Sequence, residues 1–336
     1  MLESGVTFPP RTVGAHHSKT EEGTRVPYPK VTVVGAGQVG ATAAQLLLLH
    51  DIADVVMIDV AEGLPQGKAL DMMHMRSIER FGPTVIGTND YADTAGSDVV
   101  VVTAGLPRKP GMTRDDLLAA NRAIVESVIS RVVVASPNAI IVCVTNPLDV
   151  MTYLAKNVSG LPTSRVFGMG GVLDSARFAF AIAEKTGSDI AGIDALAIGA
   201  HGDAMVPMPR FSTVNGTPLT ELLPADQIEA LIRRTVFGGA EVVALLKTGS
   251  AFYAPAASVV RMVRAILGDT GETLPVCAYL SGEYGISDVY MSVPVRLGRA
   301  GVLEVVELAL SPAEFEALQA SAATIAEAID SLGLRA

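Results

Sequence analysis

From Lys30 onward, short apolar runs alternate with amphipathic stretches. The run 31–34, rich in valine, leads into a glycine-rich turn, and the stretch 39–50 then reads as a helix. The unit recurs: a strand over 55–59, a helix over 63–80, a short strand over 84–87, and a strand over 98–103 that contains four consecutive valines. A loop over 105–111 precedes a long helix reaching about Val134, followed by a strand over 139–144, a helix over 149–158 and a strand near 165–168. Runs this apolar suit strands buried on both faces, and six of them alternating with helices predict a doubly wound parallel sheet.

Beyond Gly170 the grammar changes. Helices are expected over 173–185, 225–247 and 258–267, with alternating or Gly- and Pro-broken strands between them and further strands from 276 to 297. The last helix, 311–332, opens on Ser311-Pro312-Ala313-Glu314, which combines a serine cap, proline in the first turn and glutamate three residues after the cap. The chain thus divides into a flexible extension over 1–28, an α/β half over 29–170 and a mixed α+β half over 171–336. The extension mixes Pro, Gly, Ser, His and charges without periodicity, and an oligomerisation arm is a second use for it. There is no internal repeat and no low-complexity tract.

Composition narrows the class. At 336 residues, two packed halves are expected rather than one core. About half the residues are apolar, yet runs such as 139–144 fall far short of the roughly 18 to 20 residues that span a bilayer, so a soluble protein without membrane attachment is expected. A formal charge of −10 argues against a nucleic-acid partner, because such binding needs clustered Lys and Arg. Cys143 and Cys277 both lie in apolar segments without metal-ligand spacing, which fits a reduced, cytoplasmic setting and no bound metal. Glu3, Glu21 and Glu22 weaken a transit-peptide reading of the first residues.

Gly35-Ala36-Gly37-Gln38-Val39-Gly40 reads G-x-G-x-x-G directly between a predicted strand and a predicted helix. Glycines there permit a tight turn, close approach of a pyrophosphate and close helix packing, while the helix N-terminus offers free N–H groups to the anion. Asp59 ends the second strand about 20 residues beyond Gly40, where a carboxylate can accept from ribose hydroxyls and repel a 2′-phosphate; NAD is therefore expected rather than NADP. Asn146 follows the strand 140–144 at the carboxyl end of the sheet, where ligands bind in such folds, although Asn-Pro also serves as a simple turn. The expected fold class is a Rossmann-type doubly wound parallel sheet followed by a mixed α+β substrate domain.

His201 sits in Gly199-Ala200-His201-Gly202-Asp203, a glycine-flanked loop after an apolar strand. An imidazole titrates near neutrality, which suits a reaction in which a hydroxyl proton leaves as a hydride departs. Asp174 and Arg177 are three apart at the start of a helix and share a face. A carboxylate there could orient the imidazole, and the guanidinium could grip a substrate carboxylate through a bidentate pair. Taken alone, the two also read as a helix-terminal charge and an internal ion pair. The glycine-bracketed segment 105–114, with Arg108 and Arg114, reads as a lid at the carboxyl edge of the sheet or as a solvated surface loop.

Together these stretches resemble the lactate and malate dehydrogenase family, and within it the malate dehydrogenases of lactate-dehydrogenase-like type. The likeness runs from about Lys30 to the C-terminus and is carried by 34–40, 103–114, 144–147, 173–178 and 199–203. The resemblance implies NAD-dependent, reversible oxidation of (S)-malate to oxaloacetate, a step of the tricarboxylic acid cycle. It makes His201 the proton acceptor, Asp174 its partner, Arg177 the clamp on the C1 carboxylate and Arg114 the lid residue polarising the reacting C–O bond. It places cofactor contacts at Gly35, Gly37, Gln38, Val39, Gly40, Asp59, Asn121, Val144 and Asn146, with Asn146 also touching substrate.

Substrate choice in this family is implied to rest on the position of Arg108, where lactate dehydrogenases usually carry Gln. An unpaired arginine in a closed site loses its hydration without compensation, so it attracts a dicarboxylate and rejects pyruvate. Ala251, matching a frequent Thr of lactate dehydrogenases, leaves room for the larger acid. A homotetramer or homodimer is implied, with contact surfaces expected on the helices 63–80 and 229–247, although core packing would explain their apolar residues equally well. The N-terminal extension departs from the malate dehydrogenase pattern. Two other readings stand beside this one: an L-lactate or other 2-hydroxyacid dehydrogenase, and a catalytically silent NAD-binding sensor or scaffold.

Overall fold

The structure, a computed structural model, describes residues 27–106 and 114–335, the side chains of Arg114 and Asp115 excepted. Most of the expected N-terminal extension, Arg108 and the body of the expected lid therefore lie outside the described residues.

Six parallel strands form the first half: β1 (Lys30–Val34), β2 (Asp54–Ile58), β3 (Val85–Thr88), β4 (Val99–Val102), β5 (Ile140–Cys143) and β6 (Val166–Gly168). Their order is β3-β2-β1-β4-β5-β6, the doubly wound arrangement. All four valines of β4 are fully buried, as befits a strand covered on both faces. The covering helices include α1 (Gln38–Leu49), α2 (Leu64–Glu79), α3 (Arg114–Ala135) and α4 (Leu148–Ser159). The order reverses between β1 and β4, which pair from Val31↔Val99 to Val34↔Val102. A crevice therefore opens beyond Val34, at the carboxyl ends of both strands.

The longer strands of the second half join the sheet of the first. They are β7 (Ala197–Gly199), β8 (Met205–Pro207), β9 (Thr273–Ser281), β10 (Ser287–Gly298) and β11 (Gly301–Val305). These continue the same sheet antiparallel, in the order β6-β9-β10-β7-β8, with β11 also on β10. The junction between the halves is the pairing of Cys277 with Gly168. A Cβ on Gly168 would come within 2.7 Å of Thr152 Oγ1 and 3.2 Å of Cys277 Cβ, so glycine is what lets β9 approach.

The long helices of the second half are α5 (Gly171–Thr186), α6 (Ala225–Leu246), α7 (Tyr253–Leu267) and α8 (Pro312–Ser331). Helix α7 starts five residues before the expected 258, because Pro255 falls in its first turn, where the missing N–H has no helical acceptor. The capping box of α8 forms as expected: Glu314 N donates to Ser311 Oγ at 3.3 Å and Ser311 N to Glu314 Oε2 at 2.7 Å. Two-residue strands at 193–194, 213–214 and 217–218 make a small second sheet. Among the described residues no helix is long and apolar enough to cross a membrane, and no cluster of acidic, Cys or His side chains could hold a metal.

Candidate active site

The glycine-rich turn joins β1 to α1, and each glycine meets a different constraint. Gly35 has φ +105°, and a Cβ there would lie 2.7 Å from Thr103 Oγ1 and 2.8 Å from Ala104 N. A Cβ on Gly40 would come within about 2 Å of the Gly35 carbonyl, so the helix can close on the turn only without a side chain. At Gly37 no atom lies within 4 Å of the same position, and α1 opens there without a side-chain cap. Open space above an uncapped helix N-terminus is what an approaching pyrophosphate requires. Gln38 and Val39 form the first turn, Gln38 exposed and Val39 half-buried.

Asp59 lies just past β2 beside this turn. Its Oδ2 accepts from Ala36 N at 2.7 Å and its Oδ1 from Ala61 N at 2.9 Å. Each oxygen keeps a lone pair for a further donor, so the carboxylate is aimed and still competent to accept from ribose hydroxyls. Lys68, from α2, donates to Ala36 O at 2.7 Å and ties that helix to the turn, a contact the pattern of positions along the chain did not signal. The donor set and the clear space at Gly37 fit NAD.

Across the crevice, Val144 and Asn146 follow β5, Val144 half-buried and Asn146 exposed before a cis Asn146–Pro147 bond. Asn121, only 1% exposed on α3, turns its amide to the backbone: Nδ2 donates to Asn146 O at 2.7 Å and Leu106 O at 3.2 Å, and Oδ1 accepts from Leu106 N at 2.7 Å. Its side chain thus binds together two loops that border the crevice.

The expected constellation assembles at the boundary between the halves. His201 follows β7, with Gly199 at φ +88° and Gly202 at φ +112° bending the chain on either side. Asp174 is in the first turn of α5, and its Oδ2 lies 2.9 Å from His201 Nδ1. An ionised carboxylate can only accept, so Nδ1 carries the proton and Nε2 is left for another partner. Arg177 Nη1 donates to Asp174 Oδ1 at 3.2 Å, as the spacing of three implied. The Asp174 side chain is 2% exposed, His201 14% and Arg177 20%, so the carboxylate is enclosed while its two cationic partners reach the surface of the site.

Burial alone would lower the proton affinity of His201. The Asp174 charge and hydrogen bond, helped by Asp149, outweigh it and raise the imidazole pKa, with Arg177 opposing. Arg177 lies along α6, its Cγ and Cδ facing Gly238 and its guanidinium facing Gly239.

Several residues that build this site had no signal along the chain. Ser321, on α8, accepts from Ala200 N at 2.8 Å and donates to Ala204 O at 2.7 Å, bracketing the His201 loop. Ser292, on β10, accepts from Gly171 N at 2.9 Å and so holds the start of α5. Asp149, in the first turn of α4, accepts from the His201 backbone N–H at 2.9 Å. A serine on an amphipathic helix and an acid in a first turn each have ordinary local uses, and only tertiary packing reveals another. Arg108 is outside the described residues, as is the side chain of Arg114, at the first position of α3.

Comparison with known proteins places this architecture. Residues 29–168 match the lactate/malate dehydrogenase NAD binding domain, and residues 171–333 the lactate/malate dehydrogenase alpha/beta C-terminal domain. A malate dehydrogenase of Nostoc punctiforme is 54% identical over 302 residues, covering 90% of this chain and 92% of its own. The crystal structure of Cryptosporidium parvum malate dehydrogenase superposes with a TM-score of 0.89 at 43% identity, covering 91% of this chain and 99% of that one. The lactate dehydrogenase of the same organism, complexed with lactic acid and nicotinamide adenine dinucleotide, gives 0.87 at 42% identity, covering 91% and 99%. Backbone similarity thus hardly separates the two activities, whereas the paired domain matches leave no doubt about descent: the chain belongs to the lactate/malate dehydrogenase family.

Proposed function

We propose that the chain is an NAD-dependent malate dehydrogenase that interconverts (S)-malate and oxaloacetate. The observation that carries this reading is the Asp174–His201–Arg177 arrangement, with a bond of 2.9 Å fixing the imidazole and one of 3.2 Å joining the guanidinium to the same carboxylate. Its neighbours in sequence agree, since the curated relatives at about half identity are named malate dehydrogenase. Residues 29–170 would hold the cofactor and 171–336 most of the substrate.

Gly35, Gly37, Gln38, Val39, Gly40, Asp59, Val144 and Asn146 would hold NAD, with Asn121 supporting Asn146 from behind. Bound NAD supplies the acceptor for the hydride on C2 of malate. His201 takes the hydroxyl proton at Nε2 as that hydride leaves, and Asp174 stabilises the imidazolium that forms. Arg177 donates, among the described residues, only to Asp174, which leaves most of its five N–H groups for the C1 carboxylate. Arg114 would polarise the C–O bond and Arg108 would pair with the C4 carboxylate; both assignments rest on the family resemblance, as does the role of Ala251.

Transfer of the C2 hydrogen is tested with (S)-malate deuterated at C2. Deuterium should appear on the nicotinamide ring with a 1:1 stoichiometry; deuterium released to water would contradict hydride transfer and point to proton abstraction instead.

A cytoplasmic location and a homo-oligomer, tetrameric in the first instance, complete the proposal. Support for assembly comes from apolar side chains left in solvent on α2 and α6, where Leu70 is 59%, Ile78 77%, Phe237 59% and Leu245 76% exposed.

A further inference from the structure

Beneath the His201 loop lies a second carboxylate that the proton relay does not use. Asp149 is 6% exposed, in the first turn of α4, three residues after Asn146. Its Oδ2 accepts the backbone N–H of His201 at 2.9 Å, a bond from the cofactor half to the substrate half across 52 residues of chain. Its Oδ1 is 3.3 Å from the thiol Sγ of Cys277, on β9 at the junction of the two halves. The group faces His201 from the loop after β7, Asp174 from α5 with Arg177 beyond it, and Cys277 from β9. Behind Cys277 stand Cys143 on β5 and Tyr290 on β10, both buried. Asp203, on the His201 loop itself, is exposed.

We infer that Asp149 is a positioning residue of the relay, which holds the His201 loop against the start of α4 and whose negative charge adds to that of Asp174 in setting the proton affinity of the imidazole. The inference rests on the reading of His201 as proton acceptor.

Two features of the surroundings agree with this. Burial raises the Asp149 carboxyl to about 6, while His201, through charge and backbone hydrogen bond, and the Cys277 thiol pull the other way. The thiol is itself pushed well above its ordinary value by burial and by the Asp149 charge, so it remains a neutral donor at every pH where the enzyme works. Above pH 6, therefore, Asp149 is an anion with a backbone N–H and a thiol as its hydrogen-bond donors, and it interacts electrostatically with the His201 imidazole. An ordinary structural aspartate capping a helix would not be placed against the reacting histidine, nor would it feel that histidine's protonation.

Geometry and charge are separable by substitution. Asp149→Asn keeps an oxygen to accept from His201 N and removes the charge, its NH2 donating to Cys277 Sγ where the carboxylate accepted; Asp149→Ala removes charge and both hydrogen bonds. The measurement is the pH profile of kcat/KM for oxaloacetate with NADH, which reports the groups of the enzyme that binds the substrate. Oxaloacetate reduction needs protonated His201, so its activity falls as pH rises through the imidazole pKa. For Asp149→Asn this alkaline limb should move down by about one pH unit, a loss approaching tenfold on the limb and none on the acidic plateau, with NADH affinity unchanged. Asp149→Ala should in addition lower the plateau.

A profile for Asp149→Asn that superposes on the unsubstituted enzyme would overturn the inference. His201→Asn, run alongside, separates the two levels: full turnover in that variant sinks the relay itself, whatever Asp149 does. Should Asp149→Asn fail to fold, the unsubstituted chain still decides the matter. The His201 ring signal, assigned by its disappearance in His201→Asn, should titrate in two steps, one near pH 6 from Asp149 and one above 6.5 from its own proton; a single step would reject the coupling.

Discussion

A proton relay of this kind depends on one tautomer, and Asp174 secures it by accepting from Nδ1 of His201 at 2.9 Å. Because that pair raises the imidazole pKa despite burial, malate oxidation, which needs neutral His201, should gain with rising pH, and oxaloacetate reduction should lose over the same range. His201→Asn keeps the ring's approximate volume without a titratable nitrogen; turnover should fall by about 10²- to 10⁴-fold while NADH affinity, read by fluorescence titration, stays within a factor of about two. Arg108→Gln removes the partner of the second carboxylate and should cut the oxaloacetate-to-pyruvate preference on the order of 10²-fold, the equivalent of about 3 kcal/mol. An unchanged ratio would remove Arg108 from substrate selection. Asp149 carries a stability signature as well. Its folded pKa of about 6 stands above the ordinary value of 3.8, so folding favours the protonated form. That contribution is complete below about pH 3.9 and is lost as pH rises through 6, on the order of 3 kcal/mol by pH 8. Asp149→Asn escapes the loss, and its unfolding free energy should gain on the unsubstituted enzyme between pH 4 and 8; a difference independent of pH would mean the carboxyl is not perturbed. Function at this position thus costs stability.

Elements were legible where a local period or a local cap defines them. The valines of β4 and the pattern around Gly35 to Gly40 signalled a buried parallel strand and a tight strand-to-helix turn, and both are where they were expected. The capping box at Ser311 is purely local, so it too was readable; Ser311→Ala should cost about 1 kcal/mol in unfolding free energy, with the loss confined to the start of α8 in hydrogen exchange. Helix α7 shows the limit of such reading. Its expected start at 258 fell short of Tyr253, and Pro255 is accommodated in the first turn because a proline there gives up no hydrogen bond. The Asp149 and Ser321 contacts lay deeper still, because an acid in a helical first turn and a serine on an amphipathic helix each satisfy local rules without the partner that gives them their role.

At the scale of the molecule, the chain's two halves are fused by one sheet rather than merely packed, and the seam at Cys277 and Gly168 lies directly under Asp149. No local pattern could announce that pairing, since its partners are over a hundred residues apart and the small residue that permits it resembles any strand glycine. The meeting of His201, Asp174 and Arg177 was nevertheless foreseen, because the glycines around His201 and the spacing of three between Asp174 and Arg177 marked them before their neighbours in space were known. The exposed apolar faces of α2 and α6 predict that sedimentation velocity will find a homo-oligomer at micromolar concentration; a monomer there would require another covering for those faces. The central claim, that this site turns over a dicarboxylic 2-keto acid, is tested most directly by kcat/KM with NADH for oxaloacetate and pyruvate in parallel. Oxaloacetate should lead by at least about two orders of magnitude; comparable rates, or a lead for pyruvate, would leave the fold and relay standing and contradict the malate assignment.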